Sequence, residues 1–224
     1  MIFFDLHSHR PSQQSEDVTI ISVDLCDQSS LLSVDIAKNI HPGYYSAGIH
    51  PWYIDKTFIH EVRKLALLPS VVAIGETGLD KITAAGTDTF KLQQELFMEH
   101  IALSEKVKKP LIIHCVKAWD ELLHICKSAK PTMPWIIHGF RGKAALAGQL
   151  MDAGLYLSFG ANHNTDSLKA AWKQHRLLAE TDDTNTDIRY VYKQIANNLD
   201  ITVKELSDSI EKIFKSEFFD NRYL

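Results

Sequence analysis

An aspartate and two histidines stand at alternate positions near the start of the chain, Asp5, His7 and His9, directly after the apolar run Ile2-Phe3-Phe4. Alternate side chains of a strand leave the same face, so this spacing sends one carboxylate and two imidazoles in one direction. Paired imidazoles placed in this way can grip one divalent ion; a helix would need them at i, i+4. Two surface histidines after a short strand would carry the same letters, so the motif alone decides nothing. Further groups at matching places do. Glu76, His114, His138 and Asp182 each close a run of strand character, at 71–76, 110–114, 135–138 and 177–182. Histidines scattered over a surface would not select strand ends so consistently, and a metal site is the reading that explains the choice.

The elements that must carry these groups follow from hydrophobic periodicity. Strands are expected at 2–9, 18–23, 44–49, 71–76, 110–114, 135–138, 155–159 and 177–182. Helices are expected at 30–40, 59–68, 87–108, 118–130, 143–153, 163–175, 188–199 and 203–218, with a turn at His41-Pro42-Gly43. The loop 9–17 barely reaches the dozen residues that a parallel crossover needs, so the first helix should be stunted or missing. Eight strands alternating with helices make the α/β pattern of a (β/α)8 TIM barrel, in which every strand ends at one rim. A single domain over residues 1–224 accommodates it.

Composition narrows the partners. Hydrophobic residues at 45% and charged residues at 23% describe an ordinary globular core. A net charge of -4 and a pI near 6.2 lack the basic footprint of a protein that holds nucleic acid by charge alone, so a phosphate substrate needs bound metal or a few placed cations. Three cysteines, Cys26, Cys115 and Cys126, are too few and odd in number for a disulfide framework, which points to the cytoplasm. No basic n-region opens the chain and no apolar stretch is long enough to span a membrane, so neither a signal peptide nor a membrane partner is expected. Nothing in the sequence implies a protein partner.

The motifs Asp5-Leu6-His7-Ser8-His9, Gly48-Ile49-His50-Pro51, Gly75-Glu76-Thr77-Gly78-Leu79-Asp80, the strand end at His114, His138-Gly139-Phe140-Arg141-Gly142 and Glu180-Thr181-Asp182 occur in an order that resembles TatD-family hydrolases, metal-dependent enzymes of the amidohydrolase-like barrels. The likeness runs from residue 2 to about residue 182. It implies a dinuclear site and DNase action, including 3′ to 5′ exonuclease activity, on DNA or a small phosphodiester. Three features depart from it. Val116 stands where the family usually has arginine, Asp183-Thr184-Asn185-Thr186-Asp187 replaces a loop that commonly holds proline, and the first crossover is short.

Under that resemblance Glu76 is the carboxylate that bridges two divalent ions, of zinc, manganese or magnesium. His7, His9 and Asp182 complete one shell, with His114 and His138 on the other. A bridging hydroxide would be the nucleophile and Asp182 the general base, although an aspartate there can equally be a helix N-cap. Asp5, Glu180 and Asp80 are placed to orient the imidazoles. His50, Lys117 and Arg141 can meet the substrate, Arg141 foremost, with Arg10, Lys81, Lys143 and His163 as weaker rim groups. Cys115 should face away from the rim as a packed thiol, and His41, His60, His100, His124 and His175 should do nothing catalytic. Competing readings are a PHP-type phosphoesterase, since Asp-Leu-His-Ser-His also resembles the opening motif of that group, and an amidohydrolase or esterase, aminoacyl-tRNA deacylation included. A metal-stabilised binding scaffold is the non-enzyme alternative.

Overall fold

In a computed structural model that describes residues 1–12, 14–26, 43–84 and 86–218, each apolar run becomes a strand. In chain order these are β1 (Phe4–Ser8), β2 (Val18–Asp24), β3 (Tyr44–Gly48), β4 (Val71–Asp80), β5 (Leu111–Val116), β6 (Trp135–Ile137), β7 (Tyr156–Phe159) and β8 (Leu177–Ala179). They form one sheet in that same order, parallel in the registered pairs, as the strand order of a (β/α)8 TIM barrel requires. The helices are α1 (Ile59–Leu65), preceded by a 3-10 turn, α2 (Thr87–Val107), α3 (Trp119–Ala129), α4 (Ala144–Asp152), α5 (Thr165–Lys173), α6 (Ile188–Leu199) and α7 (Val203–Glu217). Among the described residues no helix separates β1 from β2, in keeping with the short crossover. The helix expected at 30–40 and most of the turn after it, His41 included, lie outside the described residues.

Two compact units are distinguished, Met1–Ile21 with Ile136–Leu224, and Ser22–Trp135. In the first, β1 is completely buried and meets the last strand's extension: Asp182 N–H donates to the His7 carbonyl at 2.9 Å and His9 N–H to the Asp182 carbonyl at 3.1 Å. The Tyr192 hydroxyl of α6 accepts from Phe4 N–H at 3.1 Å and donates to Phe4 O at 3.0 Å, pinning β1 to that helix. Phe4 also packs on Phe214 of α7, ring centroids 4.8 Å apart. That helix begins in a capping box, in which Thr202 Oγ1 accepts from Glu205 N–H at 3.1 Å and Glu205 accepts from Thr202 N–H at 2.8 Å.

In the second unit β4 is buried along its whole length between β3 and β5. Expected to end at Glu76, it continues to Asp80, because the register shifts between Ile74 and Thr77 and residues Thr77 to Asp80 then pair with β5 as far as Val116. Glycine makes this close approach possible. Gly75 and Gly78 have φ of 134 and 145, and a Cβ at either would overlap a β5 carbonyl, of Ile112 and of His114 respectively. The Gly-Glu-Thr-Gly spacing thus brackets Glu76 with two positions that only glycine fills.

Three cysteines are free thiols, and among the described residues no helix is long and apolar enough to cross a membrane.

Candidate metal centre

Glu76, 3% exposed, is the centre of a polar cluster in the unit Ser22–Trp135. Its Oε1 lies 2.9 Å from His50 Nε2 and 2.9 Å from His114 Nδ1. In His50 the other ring nitrogen settles where the proton sits. His50 Nδ1 accepts the Trp52 backbone N–H at 3.1 Å, so the neutral ring carries its proton on Nε2 and donates it to Glu76. His114 Nδ1 is hydrogen-bonded to Glu76 Oε1 and lies 3.3 Å from His50 Nε2, while its Nε2 faces Asp80 Oδ2 at 3.3 Å, so a carboxylate stands at each nitrogen of the ring. Ligand atoms of His50, Glu76 and His114 lie within 4.8 Å of one another. Zinc-like ions bind such atoms at about 2.0–2.2 Å, which in tetrahedral geometry puts ligand atoms roughly 3.3 Å apart. Glu76 and His114 therefore fit a divalent cation, and His50 fits the role of a donor that holds Glu76.

The surroundings fix these groups from behind. Asp80, 2% exposed, accepts from the Trp52 indole N–H at 2.7 Å, from Ile82 N–H at 2.8 Å and from Thr83 N–H at 3.1 Å. Burial alone would raise its pKa, yet these hydrogen bonds outweigh burial and hold the carboxyl below its ordinary value. Asp24, at the end of β2, accepts from Cys26 N–H at 3.0 Å and also takes a backbone hydrogen bond from His50; burial, the largest influence, pushes its pKa up to about 6. Gln93 and His100 of α2 reach the same loop. Gln93 Nε2 donates to Pro51 O at 3.0 Å and to Asp80 O at 3.1 Å, while its Oε1 accepts from Asp80 N–H at 2.9 Å. His100 Nε2 accepts from Ile49 N–H at 3.1 Å, the residue before His50.

A second donor set belongs to the unit that holds β1 and β8. Ligand atoms of His7, His138 and Asp182 lie within 4.8 Å of one another. Asp182 Oδ1 is 3.7 Å from His7 Nε2 and 3.7 Å from His9 Nε2. His7 is fully buried, whereas the His9 side chain is 44% exposed and that of Asp182 26%. Imidazoles mixed with a carboxylate suit zinc or manganese. Behind them, Glu180 is fully buried, accepts the Gly139 N–H, and lies 3.7 Å from His138 Nδ1. Asp5 accepts from Thr181 N–H at 3.0 Å and from its hydroxyl at 2.6 Å. Burial dominates over those bonds and pushes the Asp5 carboxyl up to about 7.

Several placements differ from expectation. His138 was grouped with His114, but it meets His7, ring centroids 4.5 Å apart, while His50 takes the third place beside Glu76 and His114. Strand order explains both, since β3, β4 and β5 are neighbours and β1 joins the residues after β8. Asp182, at φ 58, caps no helix; Asp187 caps α6, accepting from Arg189 N–H at 2.8 Å. Strand β8 ends at Ala179, three residues before the expected stop, because the chain turns to close on β1. His100, expected to have no part, supports the His50 loop, and Asp24, Trp52 and Gln93 were not singled out. Asp24 obeys the strand-end rule; the other two carry no signal beyond their type.

Arg141 and Lys117 are exposed at the ends of their strands. Arg10 is tied to Asn185, Lys81 to Glu121 at 2.5 Å, and His163 to Gly160 O and Asn198 at 2.8 and 2.9 Å. The Arg10–Asn185 contact lies beside a cavity of about 300 Å³, lined also by Asp5, Ser8, Thr181 and Asp187. The loop that departs from the family pattern is thus a wall of this cavity. Cys115 is buried as expected, and burial pushes its thiol up to about 12, which excludes it as a nucleophile at neutral pH.

Comparison with known proteins gives these groups a context. The family profile described as TatD related DNase matches residues 7–219. An uncharacterized metal-dependent hydrolase of Buchnera aphidicola is 29% identical over 77% of this chain and 71% of its own length. The one named YabD from Bacillus subtilis is 28% identical over 92% and 94%, and YcfH of Escherichia coli is 35% identical over 62% of this chain but only 54% of its own. In three dimensions the TatD homologue YJJV of Escherichia coli superposes with a TM-score of 0.82 at 20% identity, covering 97% of this chain and 98% of that one, which establishes the shared fold.

Proposed function

Given that this chain belongs to the TatD-related DNase family of metal-dependent hydrolases, we propose that it hydrolyses phosphodiester bonds, with the ends of DNA strands or a small phosphodiester as substrate. The observation that supports this best is the convergence of His50 Nε2 and His114 Nδ1 on Glu76 Oε1, each at 2.9 Å, with Asp80 behind His114. Two imidazoles and a buried carboxylate with ligand atoms this close are a set that a divalent cation can occupy.

Under this proposal one divalent ion would be held by His7, His9, His138 and Asp182 and another by Glu76 and His114. Bound there, the ions would supply Lewis-acid activation of water and of the phosphoryl group. The protein's own part is different in kind. Asp182, whose side chain is 26% exposed, takes the proton of the attacking water. His50 keeps the Glu76 carboxylate aimed, and Asp80 orients the His114 ring. Arg141 and Lys117 supply positive charge for the strand's phosphates in a chain whose net charge is -4. Free thiols agree with the cytoplasm as the site of action.

The test is a parallel panel of single-stranded DNA, bis-p-nitrophenyl phosphate, and simple amides and esters, each assayed with added metal and with chelator. Metal-dependent turnover of the phosphodiesters, abolished in Glu76→Ala without loss of fold, is the expected result. A Glu76→Ala protein that kept near-wild-type activity with full metal would overturn the mechanism. Turnover confined to amides or esters would overturn the substrate class.

A further inference from the structure

Trp52 is 54% exposed, and the neighbouring Tyr53 is 43% exposed, beside the buried His50, Glu76 and Asp80. An exposed tryptophan is commonly a mobile one, but this indole is fastened. Its Nε1–H donates to Asp80 Oδ2 at 2.7 Å, and its backbone N–H donates to His50 Nδ1 at 3.1 Å. Both acceptors are buried and both also meet the groups described above, since Asp80 faces His114 and His50 faces Glu76. The ring contacts that the indole makes, with His50 at 4.8 Å and 81° and with His114 at 6.0 Å and 78°, are near-perpendicular. A broad aromatic surface is thereby held rigid at the edge of the Glu76 cluster, and among the described residues no parallel ring is stacked upon it.

We propose that Trp52 is a stacking platform for a planar nucleobase of the substrate, with Tyr53 extending the same aromatic surface, so that the protein grips a strand through a base as well as through its phosphates. The inference rests on the phosphodiesterase reading and names which part of the substrate this protein selects. Stacking on an aromatic side chain tolerates any base, because each has a π face, and a side chain already fixed in place loses little freedom on binding. It also answers the charge balance. A chain with net charge -4 gains little from long-range attraction to a polyanion, so a neutral contact must carry part of the affinity.

The experiment compares Trp52→Leu and Trp52→Phe with the wild type on two single-stranded oligonucleotides, one ordinary and one with abasic residues at the end attacked. Leucine removes both the ring and the indole N–H; phenylalanine removes only the latter. Stacking predicts that Trp52→Leu raises KM for the ordinary strand by roughly five- to a hundredfold, while Trp52→Phe, which keeps a ring, raises that KM by only a few fold, both variants sharing whatever fall in kcat comes from losing the bond to Asp80. On the abasic strand all three proteins should have similar, high KM values. An equal rise in KM for both strands in Trp52→Leu, or no rise for either, overturns the proposal, as does a KM for the ordinary strand raised as much in Trp52→Phe as in Trp52→Leu. Binding of a 2-aminopurine oligonucleotide to chelator-treated protein is the second measurement. Quenching of its fluorescence by the wild type and not by Trp52→Leu supports the platform even if no phosphodiester is turned over, an outcome that would overturn the catalytic reading alone. No difference in quenching between the two proteins counts against the platform whatever the turnover.

Discussion

A histidine's chemistry here is decided by the atom on its far side. His50 and His114 both present a nitrogen to Glu76 at 2.9 Å, but behind the first ring stands the Trp52 N–H, a donor, and behind the second the Asp80 carboxylate, an acceptor. The consequence is testable. His50→Ala should retain fold and weaken retention of metal by roughly 10–100-fold, the usual cost of losing a group that orients a ligand, whereas His114→Ala should remove binding at that position outright. Chelator competition on the purified variants reads the difference, and equal losses in the two would refute it. Much of this was visible in the letters. His7, His9, Glu76, His114, His138 and Asp182 announce themselves because histidines and acids at the ends of apolar runs are rare by chance. Trp52 and Gln93 do not, since an aromatic in a loop and an amide in a helix have common and uneventful explanations.

The helix α2 shows why a buried polar face is informative at the scale of an element. Gln93 and His100 stand seven residues apart, two turns along one face, and each hydrogen-bonds to the segment from Ile49 to Pro51, Gln93 also to Asp80. His100 has Nδ1 2.7 Å from Leu96 O and Nε2 accepting from Ile49 N–H, so both nitrogens are committed in the neutral form. Burial, the main cause, depresses its pKa from 6.5 to about 4. The unfolded chain therefore takes up the proton first, and stability falls as the pH drops from about 6.5 to about 4, by about 3 kcal/mol when fully developed. Urea denaturation across that range should show the slope, and His100→Gln, whose amide oxygen can still accept from Ile49, should flatten it. An unchanged slope in the variant would assign the acid sensitivity elsewhere. From sequence, α2 was legible as an amphipathic helix at 87–108 and its polar pair was not, because periodicity reports where apolar residues lie and is silent on which polar residues go inside with them.

At the scale of the whole molecule, alternation of strands and helices was enough to give the fold, since parallel strands with helical crossovers have few ways to satisfy their backbone. It was less exact at the strand ends. β4 outran its expected end because two glycines admit β5 closely, and β8 fell short because the chain turns at Asp182. A metal site assembled from separate segments links occupancy to folding. Added zinc or manganese should raise the melting temperature, by an amount equivalent to about 2.7 kcal/mol at a hundredfold excess over Kd, and chelator should reverse it. Scanning calorimetry would show one cooperative transition if residues 1–224 are a single domain, as the sequence suggests, and two if they are not. The join between β1 and Asp182 reaches further than stability. Its hydrogen bonds, from Asp182 N–H to His7 O and from His9 N–H to Asp182 O, tie together residues far apart along the chain. A copy cut short before Asp182 keeps His7 and His9 but not the carboxylate they face, so proteolytic clipping in that stretch should silence the donor set while leaving its imidazoles in place.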